Sequence, residues 1–217
     1  IPSLIQISAE LKKRGSSTFF SEYVSQDAKN SEVMAFQLYQ GGIGLPEREY
    51  YFKEDSATID IRNAYLAYMT KILTMSGEKE IDAALAAKNI LALEIRLAKA
   101  SRKLEDLRDP YKNYNKMAVN DLGKMSASIP WSVYLPTIGY KRTDSVIVGQ
   151  PEFFKELGNL LTSVPLSDWK AYVKFNLISD MSAVLPEAYG VSSFEFNKLF
   201  SGAKVRKPRW KRVIQMQ

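Results

Sequence analysis

Two consecutive stretches in the first half of the chain carry apolar residues at the spacing of one helix face. The first opens at Ser56 and ends at Gly77, and the second runs from about Lys79 to Ala100. Apolar residues recur three and four positions apart, as on the buried side of an α-helix. They are Ile61, Ala64, Tyr65, Tyr68, Met69, Ile72 and Leu73 in the first stretch, and Ile81, Leu85, Ile90, Leu91, Leu93, Ile95 and Leu97 in the second. Two long adjacent helices predict a core built mainly by helix packing.

A carboxylate interrupts the second apolar stripe. Glu94 lies among apolar neighbours, and a buried carboxylate needs a cationic or hydrogen-bonding partner. Arg108, which follows in the sequence, could supply that partner through a charge-assisted hydrogen bond. We therefore predict an ion pair between Arg108 and Glu94.

The remaining elements are also mainly helical. Helices are expected at residues 3–13, 119–125, near Trp131, and at 151–161, 166–185 and 192–202, and several of them have a Ser, Pro or Gly boundary signal. Two β-prone stretches, at residues 19–24 and 33–39, flank the turn-forming QDAKNS and predict a hairpin. A short strand is expected at residues 146–148. The predicted fold class is a mainly α, multi-helix domain with a minor β-hairpin, and residues 1–217 fit one domain.

The segment GGIGLPEREYYF, residues 41–52, resembles a phosphate-binding loop at first sight. It lacks the GxxxxGK[ST] spacing, and Leu45 and Pro46 follow the glycines where such a loop would start a helix. Glycines permit positive φ angles or close backbone approach, and the aromatic run can anchor a turn on the core. We predict a tight structural turn without a nucleotide.

The composition excludes most familiar hydrolytic sites. The chain contains no histidine and no cysteine, so it cannot carry a Ser-His-Asp triad, a Cys-His pair or an HExxH zinc helix. The carboxylate groups, such as Glu47 with Glu49 and Glu105 with Asp106, do not form a DxDxDG calcium loop. Asp109 before Pro110 is typical of a turn. We predict no catalytic, cofactor-binding or metal-binding residue in this chain.

The C-terminal segment AKVRKPRWKR concentrates positive charge around Trp210. The whole chain has a net charge of +6 and a pI near 9.3. A basic cluster with an aromatic side chain can follow a phosphate backbone. One alternative function is therefore a free-standing basic helical module that binds an acidic partner or nucleic acid, and the other interpretation is a solvated or domain-contacting tail.

Several stretches together resemble the neprilysin family of zinc metalloendopeptidases, which includes endothelin-converting enzymes and bacterial oligopeptidases. These stretches are GGIGLPEREYY, LEIRLAKAS, RDPYKNYNKM, FFKELGNLL, DWKAYVKFNLISD and KPRWKRVIQ, in that order along the chain. The resemblance extends from about Phe19 to Gln217. It implies that the chain is the N-terminal lid domain of a two-domain enzyme, a fragment that caps a zinc-containing catalytic domain and restricts the cavity to peptides of limited size.

The resemblance also implies the context of the parent protein. Zinc and the HExxH helix belong to the C-terminal catalytic domain, which would be the partner of this chain in the same polypeptide. The parent would be a monomer that hydrolyses peptides, and no nucleic acid is expected as a partner. It would be exported, periplasmic, secreted or anchored in the cell envelope. Animal members are rich in disulfides, so the absence of cysteine favours a bacterial relative.

The family resemblance singles out signature residues with an expected structural role. They are Gly42, Gly44, Leu45, Pro46, Tyr50, Tyr51, Arg108, Asp109, Pro110, Tyr114, Asn115 and Trp210. Arg48 and Arg209 are candidates for a substrate or interdomain contact.

Overall fold

The computed structural model describes residues 1–16, 19–140 and 144–214. In this part of the chain the α-helices are α1 (Pro2–Lys13), α2 (Ser56–Met75), α3 (Glu80–Ala100), α4 (Leu104–Leu107), α5 (Leu122–Met125), α6 (Trp131–Thr137), α7 (Pro151–Ser163), α8 (Leu166–Asp180), α9 (Glu187–Ser201) and α10 (Arg209–Ile214). The strands are β1 (Ser21–Asp27), β2 (Asn30–Tyr39), β3 (Asn115–Ala118) and β4 (Ser145–Val148), and 3-10 turns occupy Arg48–Tyr51 and Val119–Asp121. The predicted mainly helical fold with a minor β component is confirmed.

The two long helices predicted from the apolar spacing are α2 and α3, which pack against each other. Asp55 caps α2, because its carboxylate accepts hydrogen bonds from the backbone N–H of Thr58 at 3.0 Å and from the Thr58 hydroxyl at 2.8 Å. Gly77 follows the helix with a φ of 101°. Glu80 and Asp82 lie in the first turn of α3, where negative charge favours the helix dipole.

The hairpin belongs to a larger sheet than the sequence indicated. The strand order is β1-β2-β4-β3, with β1 antiparallel to β2, β2 parallel to β4, and β3 antiparallel to β4. Strands β1 and β2 extend further toward the turn than predicted. Strand β3 was not predicted, because NKMA is only four residues long and follows a turn-rich segment.

The C-terminal helices differ from the prediction in their bounds. Helix α8 ends at Asp180, five residues before the predicted end, because the chain enters turns in which the Val184 N–H bonds the Met181 carbonyl at 2.9 Å. The proline that follows at Pro186 also disfavours a helical conformation for the residue before it. Helix α9 then begins at Glu187, earlier than predicted, although Gly190 lowers its intrinsic helix propensity.

Most of the buried apolar side chains form one contiguous core. Helix α3 lies in the middle of it, since it contacts α2, α7 and α8. Aromatic side chains supply much of the core volume, and the largest fully buried ones are Trp169, Tyr65, Tyr134, Tyr172, Phe19, Phe153, Phe154 and Phe175. The loop that leaves β2 packs on this aromatic core.

Candidate functional site: the glycine loop on a buried carboxylate

Residues 41–45, called the glycine loop below, connect β2 to the 3-10 turn Arg48–Tyr51. Gly42 has a φ of 72°, and a Cβ atom there would lie 2.6 Å from the Phe19 carbonyl oxygen. A Cβ atom at Gly44 would lie 1.9 Å from the Tyr65 hydroxyl oxygen. The glycines are therefore required by a positive φ at one position and by close backbone approach at both.

Glu94 of α3 lies beneath the glycine loop and is completely buried. Its Oε2 accepts hydrogen bonds from the Tyr51 hydroxyl at 2.6 Å and from the Gly44 N–H at 3.2 Å. Its Oε1 accepts a hydrogen bond from the Tyr65 hydroxyl at 2.9 Å. The carboxylate thus joins the loop, the 3-10 turn, α2 and α3 at one point.

The predicted ion pair between Arg108 and Glu94 is wrong. Arg108 is exposed at the end of α4, and the partners of Glu94 in the described part of the chain are two hydroxyls and one backbone N–H. The prediction failed because tyrosines can satisfy a buried carboxylate as neutral donors. Sequence analysis had placed Tyr65 in the apolar core stripe, and its hydroxyl gave no signal of this role.

Burial controls the ionisation of this cluster. It raises the pKa of Glu94 to about 7, although the hydrogen bonds from Tyr51, Tyr65 and Gly44 oppose the shift. Burial, together with the neighbouring carboxylate, also raises the pKa values of the Tyr51 and Tyr65 hydroxyls well above the usual range. The tyrosines therefore remain neutral donors.

The other residues of the segment GGIGLPEREYYF hold the exit of the loop. Leu45 is buried, and its N–H donates to the Tyr51 hydroxyl oxygen at 3.0 Å. Pro46 is exposed at the exit. The Tyr50 ring packs edge-on against Phe200 with the centroids 5.6 Å apart, which attaches the turn to α9.

Arg48 lies close to charged and aromatic neighbours within its own turn. Its guanidinium carbon lies 5.2 Å from the centroid of the Phe52 ring. Its Nε is 3.6 Å from Oε1 of Glu49, which also lies 3.9 Å from the Lys103 ammonium. These contacts give Arg48 a position in a local charge cluster beside the glycine loop.

The signature residues from Arg108 to Asn115 lie in a second region, at the sheet. Asp109 Oδ1 accepts the N–H groups of Tyr111 at 2.9 Å and Lys112 at 3.1 Å, so the predicted turn is confirmed, and exposed Pro110 lies within it. These backbone hydrogen bonds also lower the pKa of Asp109.

Two further signature residues attach this turn to the strands. The Tyr114 hydroxyl donates to Asp27 Oδ1 at the hairpin at 2.8 Å. Asn115 donates through Nδ2 to the Val148 carbonyl of β4 at 3.0 Å. Both side chains therefore hold the sheet together.

The basic C-terminal segment forms α10 and returns to α9. Arg206 forms an ion pair with Glu187, and Arg212 Nη2 lies 3.4 Å from the same carboxylate. Trp210 is 61% exposed, with the Lys211 ammonium 5.2 Å from its ring centroid, and Arg209 is exposed beside it. Glu187 thus neutralises part of the positive charge.

The described residues do not provide a zinc site. No group of three or more His, Cys, Asp or Glu side chains in residues 1–16, 19–140 and 144–214 is close enough to hold a metal ion. The donor set that zinc prefers, His and Cys, does not occur in the sequence. Over the same residues, no helix is both long enough and apolar enough to cross a bilayer.

The fold and the glycine loop define a mainly helical scaffold in which a buried carboxylate joins the loop to α2 and α3. The model for the N-terminal part of peptidase family M13 matches residues 2–217, and the chain belongs to that family. Endothelin-converting enzyme 1 of Mus musculus is 29% identical over 201 residues, which are 90% of this chain and 26% of that protein.

Two solved structures resemble the chain over nearly its whole length. The zinc metalloprotease Zmp1 of Mycobacterium tuberculosis, solved in complex with an inhibitor, superposes with a TM-score of 0.91 at 27% identity and covers 98% of this chain and 33% of that one. PepO of Lactobacillus rhamnosis superposes with a TM-score of 0.79 over 98% of this chain and 34% of that one at 17% identity, which shows the shared fold alone. The chain thus spans between a quarter and about a third of the length of these relatives.

Proposed function

We propose that residues 1–217 form the non-catalytic N-terminal capping domain of a zinc-dependent endopeptidase of family M13. The observation that carries the proposal is the superposition with Zmp1, in which 98% of this chain corresponds to only 33% of a zinc metalloprotease. The HExxH motif cannot occur in a sequence without histidine, so the zinc and the water-activating glutamate would belong to another part of the polypeptide.

The role proposed for this domain is steric. Helices α2 and α3 pack together, and Glu94 fixes the glycine loop to both of them, so the domain is suited to act as a rigid wall. Such a wall over a catalytic cavity admits peptides of limited size and excludes folded proteins.

The partner is the C-terminal catalytic domain of the same polypeptide. The whole protein is proposed to be a monomer that is exported, periplasmic, secreted or envelope-anchored.

The signature residues fit this role as structural groups. Gly42, Gly44, Tyr51 and Asp109 have contacts that hold loops in place, and none lies in a group that could bind a metal. Arg48 and Arg209 remain candidates for contact with the catalytic domain or with a peptide substrate. Their positive charge would favour acidic partner groups in either case.

The proposal is tested by expressing the longest polypeptide that the gene encodes beside the 217-residue chain. Both are assayed for bound zinc and for chelator-sensitive cleavage of a quenched fluorescent peptide. Zinc and cleavage in the long form alone are the expected result. Stoichiometric zinc in the 217-residue chain, or cleavage by it, would overturn the proposal.

The second candidate function is a free-standing basic module that binds nucleic acid through the tail around Trp210. The exposed Trp210 and Arg209 favour it, whereas the ion pairs of Arg206 and Arg212 with Glu187 reduce the available charge. Phosphate binding would weaken steeply between 50 mM and 200 mM salt. A fluorescence anisotropy titration of labelled single-stranded DNA at both salt concentrations distinguishes this function from the capping role.

A further inference from the structure

A polar pocket of about 330 Å³ opens beside the glycine loop. The backbone of Gly41, Gly42 and Gly44 forms one wall, and side chains of α2, α8 and α9 form the others. Cβ atoms at Gly42 and Gly44 would clash with Phe19 and Tyr65, so this wall lies directly against the core. The pocket adjoins the Glu94 cluster, because Gly44 and Tyr65 contribute to both.

The charge of the pocket is opposite to that of the whole chain. Asp180 is the single charged residue among those that line it, in a chain with a net charge of +6. Oδ2 of Asp180 accepts a 2.5 Å hydrogen bond from the Ser16 hydroxyl. In the described ranges no lysine or arginine lies within 4.0 Å of this carboxylate as an ion-pair partner. The pocket therefore offers a negative charge without an internal cation.

The neutral oxygen atoms that line the pocket with Asp180 can accept hydrogen bonds from a ligand. The Ser179 hydroxyl shares a 2.9 Å hydrogen bond with the Tyr68 hydroxyl, and each oxygen retains further acceptor capacity. Asn176 uses its Nδ2 to donate to the Tyr172 carbonyl at 2.9 Å, so its amide oxygen is an acceptor for another group. A primary ammonium group has three donors and no acceptor, which matches one carboxylate and these neutral oxygens.

Aromatic rings complete the pocket and pack against one another. The rings of Tyr68 and Phe196 are stacked with centroids 4.9 Å apart, and Phe175 packs edge-on against Tyr68 at 5.7 Å. The same rings can contact the methylene groups next to an ammonium group.

We propose that this pocket binds the primary ammonium group of a peptide, either the N-terminal α-amine or a lysine side chain, with Asp180 as the ionic partner. The inference rests on the proposed function in that peptides are its substrate class. The pocket would bind one end or one side chain of a peptide through Asp180, while the neutral oxygens and the rings orient it.

The experiment measures direct binding to the 217-residue chain by isothermal titration calorimetry, with circular dichroism as the check of folding. Three tripeptide probes separate the sources of the amine: Ala-Ala-Ala-amide with a free N-terminus, acetyl-Ala-Lys-Ala-amide, and the neutral acetyl-Ala-Ala-Ala-amide. Binding of at least one of the two charged probes, with at least tenfold weaker binding of the neutral one, is expected. The charged probe that binds identifies the source of the amine.

Asp180→Asn tests the ionic partner, because the amide keeps an acceptor for Ser16 but removes the charge. The matched control is Asp168→Asn in the first turn of the same helix, where Asp168 bonds Asn89 at 3.0 Å outside the pocket. We expect at least a tenfold loss of affinity in Asp180→Asn and no change in Asp168→Asn. Equal affinities in the wild type and Asp180→Asn, equal binding of the neutral probe, or no binding of any probe would overturn the inference.

Failure of this inference is distinguishable from failure of the proposed function. Peptide cleavage and zinc in the long polypeptide would persist if only the ammonium site were wrong. Binding of a charged probe to the 217-residue chain would persist if only the capping role were wrong.

Discussion

The Tyr51 hydroxyl donates a 2.6 Å hydrogen bond to Oε2 of Glu94 and accepts the N–H of Leu45 at 3.0 Å. One oxygen atom thereby connects the backbone of the glycine loop to a fully buried carboxylate on the central helix. An ionised carboxylate in such a position is unfavourable unless donors surround it. The two tyrosines and the Gly44 N–H supply those donors, and their number explains why the loop is held so closely to the core.

Glu94 is expected to make the stability of the chain depend on pH. Its pKa is about 7 in the folded state and near the ordinary value of 4.5 when unfolded. The folded state therefore binds more protons between these values, and the stabilisation fully present below pH 4.5 is lost as the pH rises through 7. The loss amounts to about 3 kcal/mol between pH 4.5 and pH 8. Glu94→Gln should abolish it, because the amide does not titrate.

The measurement compares urea unfolding of the wild type and Glu94→Gln at several pH values between 4.5 and 8. Contributions from all other titrating groups cancel in the difference between the two proteins if their pKa values are unchanged. A difference that stays constant across this range would show that Glu94 does not titrate there. Glu156→Gln, which removes a carboxylate from a partly exposed ion pair with Arg96, is the control for the loss of one negative charge elsewhere on the chain.

The helices that carry the Glu94 cluster were predicted from the sequence better than the contacts within the cluster. The 3,4 spacing identified α2 and α3, and Glu94 was recognised as a carboxylate that needed a partner. Its actual partners could not be found, because Tyr51, Tyr65 and Gly44 meet at Glu94 only through tertiary packing. Charge alone favoured Arg108, although a neutral hydroxyl satisfies a buried oxygen without bringing a second charge into the core.

Short elements were predicted less well than long ones for a similar reason. Strand β3 is stabilised by pairing with β4, and the side chains of Tyr114 and Asn115 attach it to Asp27 and Val148. No local pattern in four residues reports such pairing. The glycine loop was predicted as a structural turn from its spacing, whereas the polar pocket beside it depends on α8 and α9, which are distant in the sequence.

Gly44→Ala is expected to destabilise the chain by about 1–3 kcal/mol, the usual range for an overpacked core. The new methyl group would lie 1.9 Å from the Tyr65 hydroxyl oxygen, so Tyr65 or the loop must move, and the hydrogen bonds to Glu94 would weaken. Gly123→Ala is the matched control, since no heavy atom lies within 4 Å of its Cβ position. Urea unfolding of both variants provides the comparison. Equal stabilities would indicate that the loop tolerates the added volume.

Asp27 should stabilise the sheet down to acidic pH. The Lys116 ammonium bonds its Oδ2 at 2.8 Å, and together with the Lys29 N–H and the Tyr114 hydroxyl it lowers the pKa of Asp27 to about 2. A lowered pKa gives a stabilisation that is present above the unfolded value of about 4 and lost as the pH falls through 2. Asp27→Asn should therefore lower the thermal midpoint at pH 6.

The difference between Asp27→Asn and the wild type should also shrink as the pH is lowered from 4 to 2. Differential scanning calorimetry at pH 6, 4, 3 and 2 measures it. The control is Asp121→Asn, which removes another ion pair with a lysine at a more exposed carboxylate. An Asp27→Asn midpoint equal to that of the wild type at pH 6 would contradict the assigned role.

Glu187→Gln should loosen the basic tail with little effect on global stability. Glu187 is paired with both Arg206 and Arg212, yet exposed ion pairs contribute only about 0–1 kcal/mol. Tail attachment and global unfolding are therefore separable. Trypsin can report tail attachment, because it cleaves after the lysines and arginines of residues 204–212 except Lys207, which precedes Pro208. We expect severalfold faster trypsin cleavage in the tail of Glu187→Gln and an almost unchanged thermal midpoint.

The control is Glu195→Gln, which removes the pairing of Glu195 with Lys198 on the same helix. Its tail should be cleaved at the wild-type rate. Equal tail cleavage in the wild type and both variants would show that Glu187 does not hold the tail. The basic cluster would then be free to bind an acidic partner.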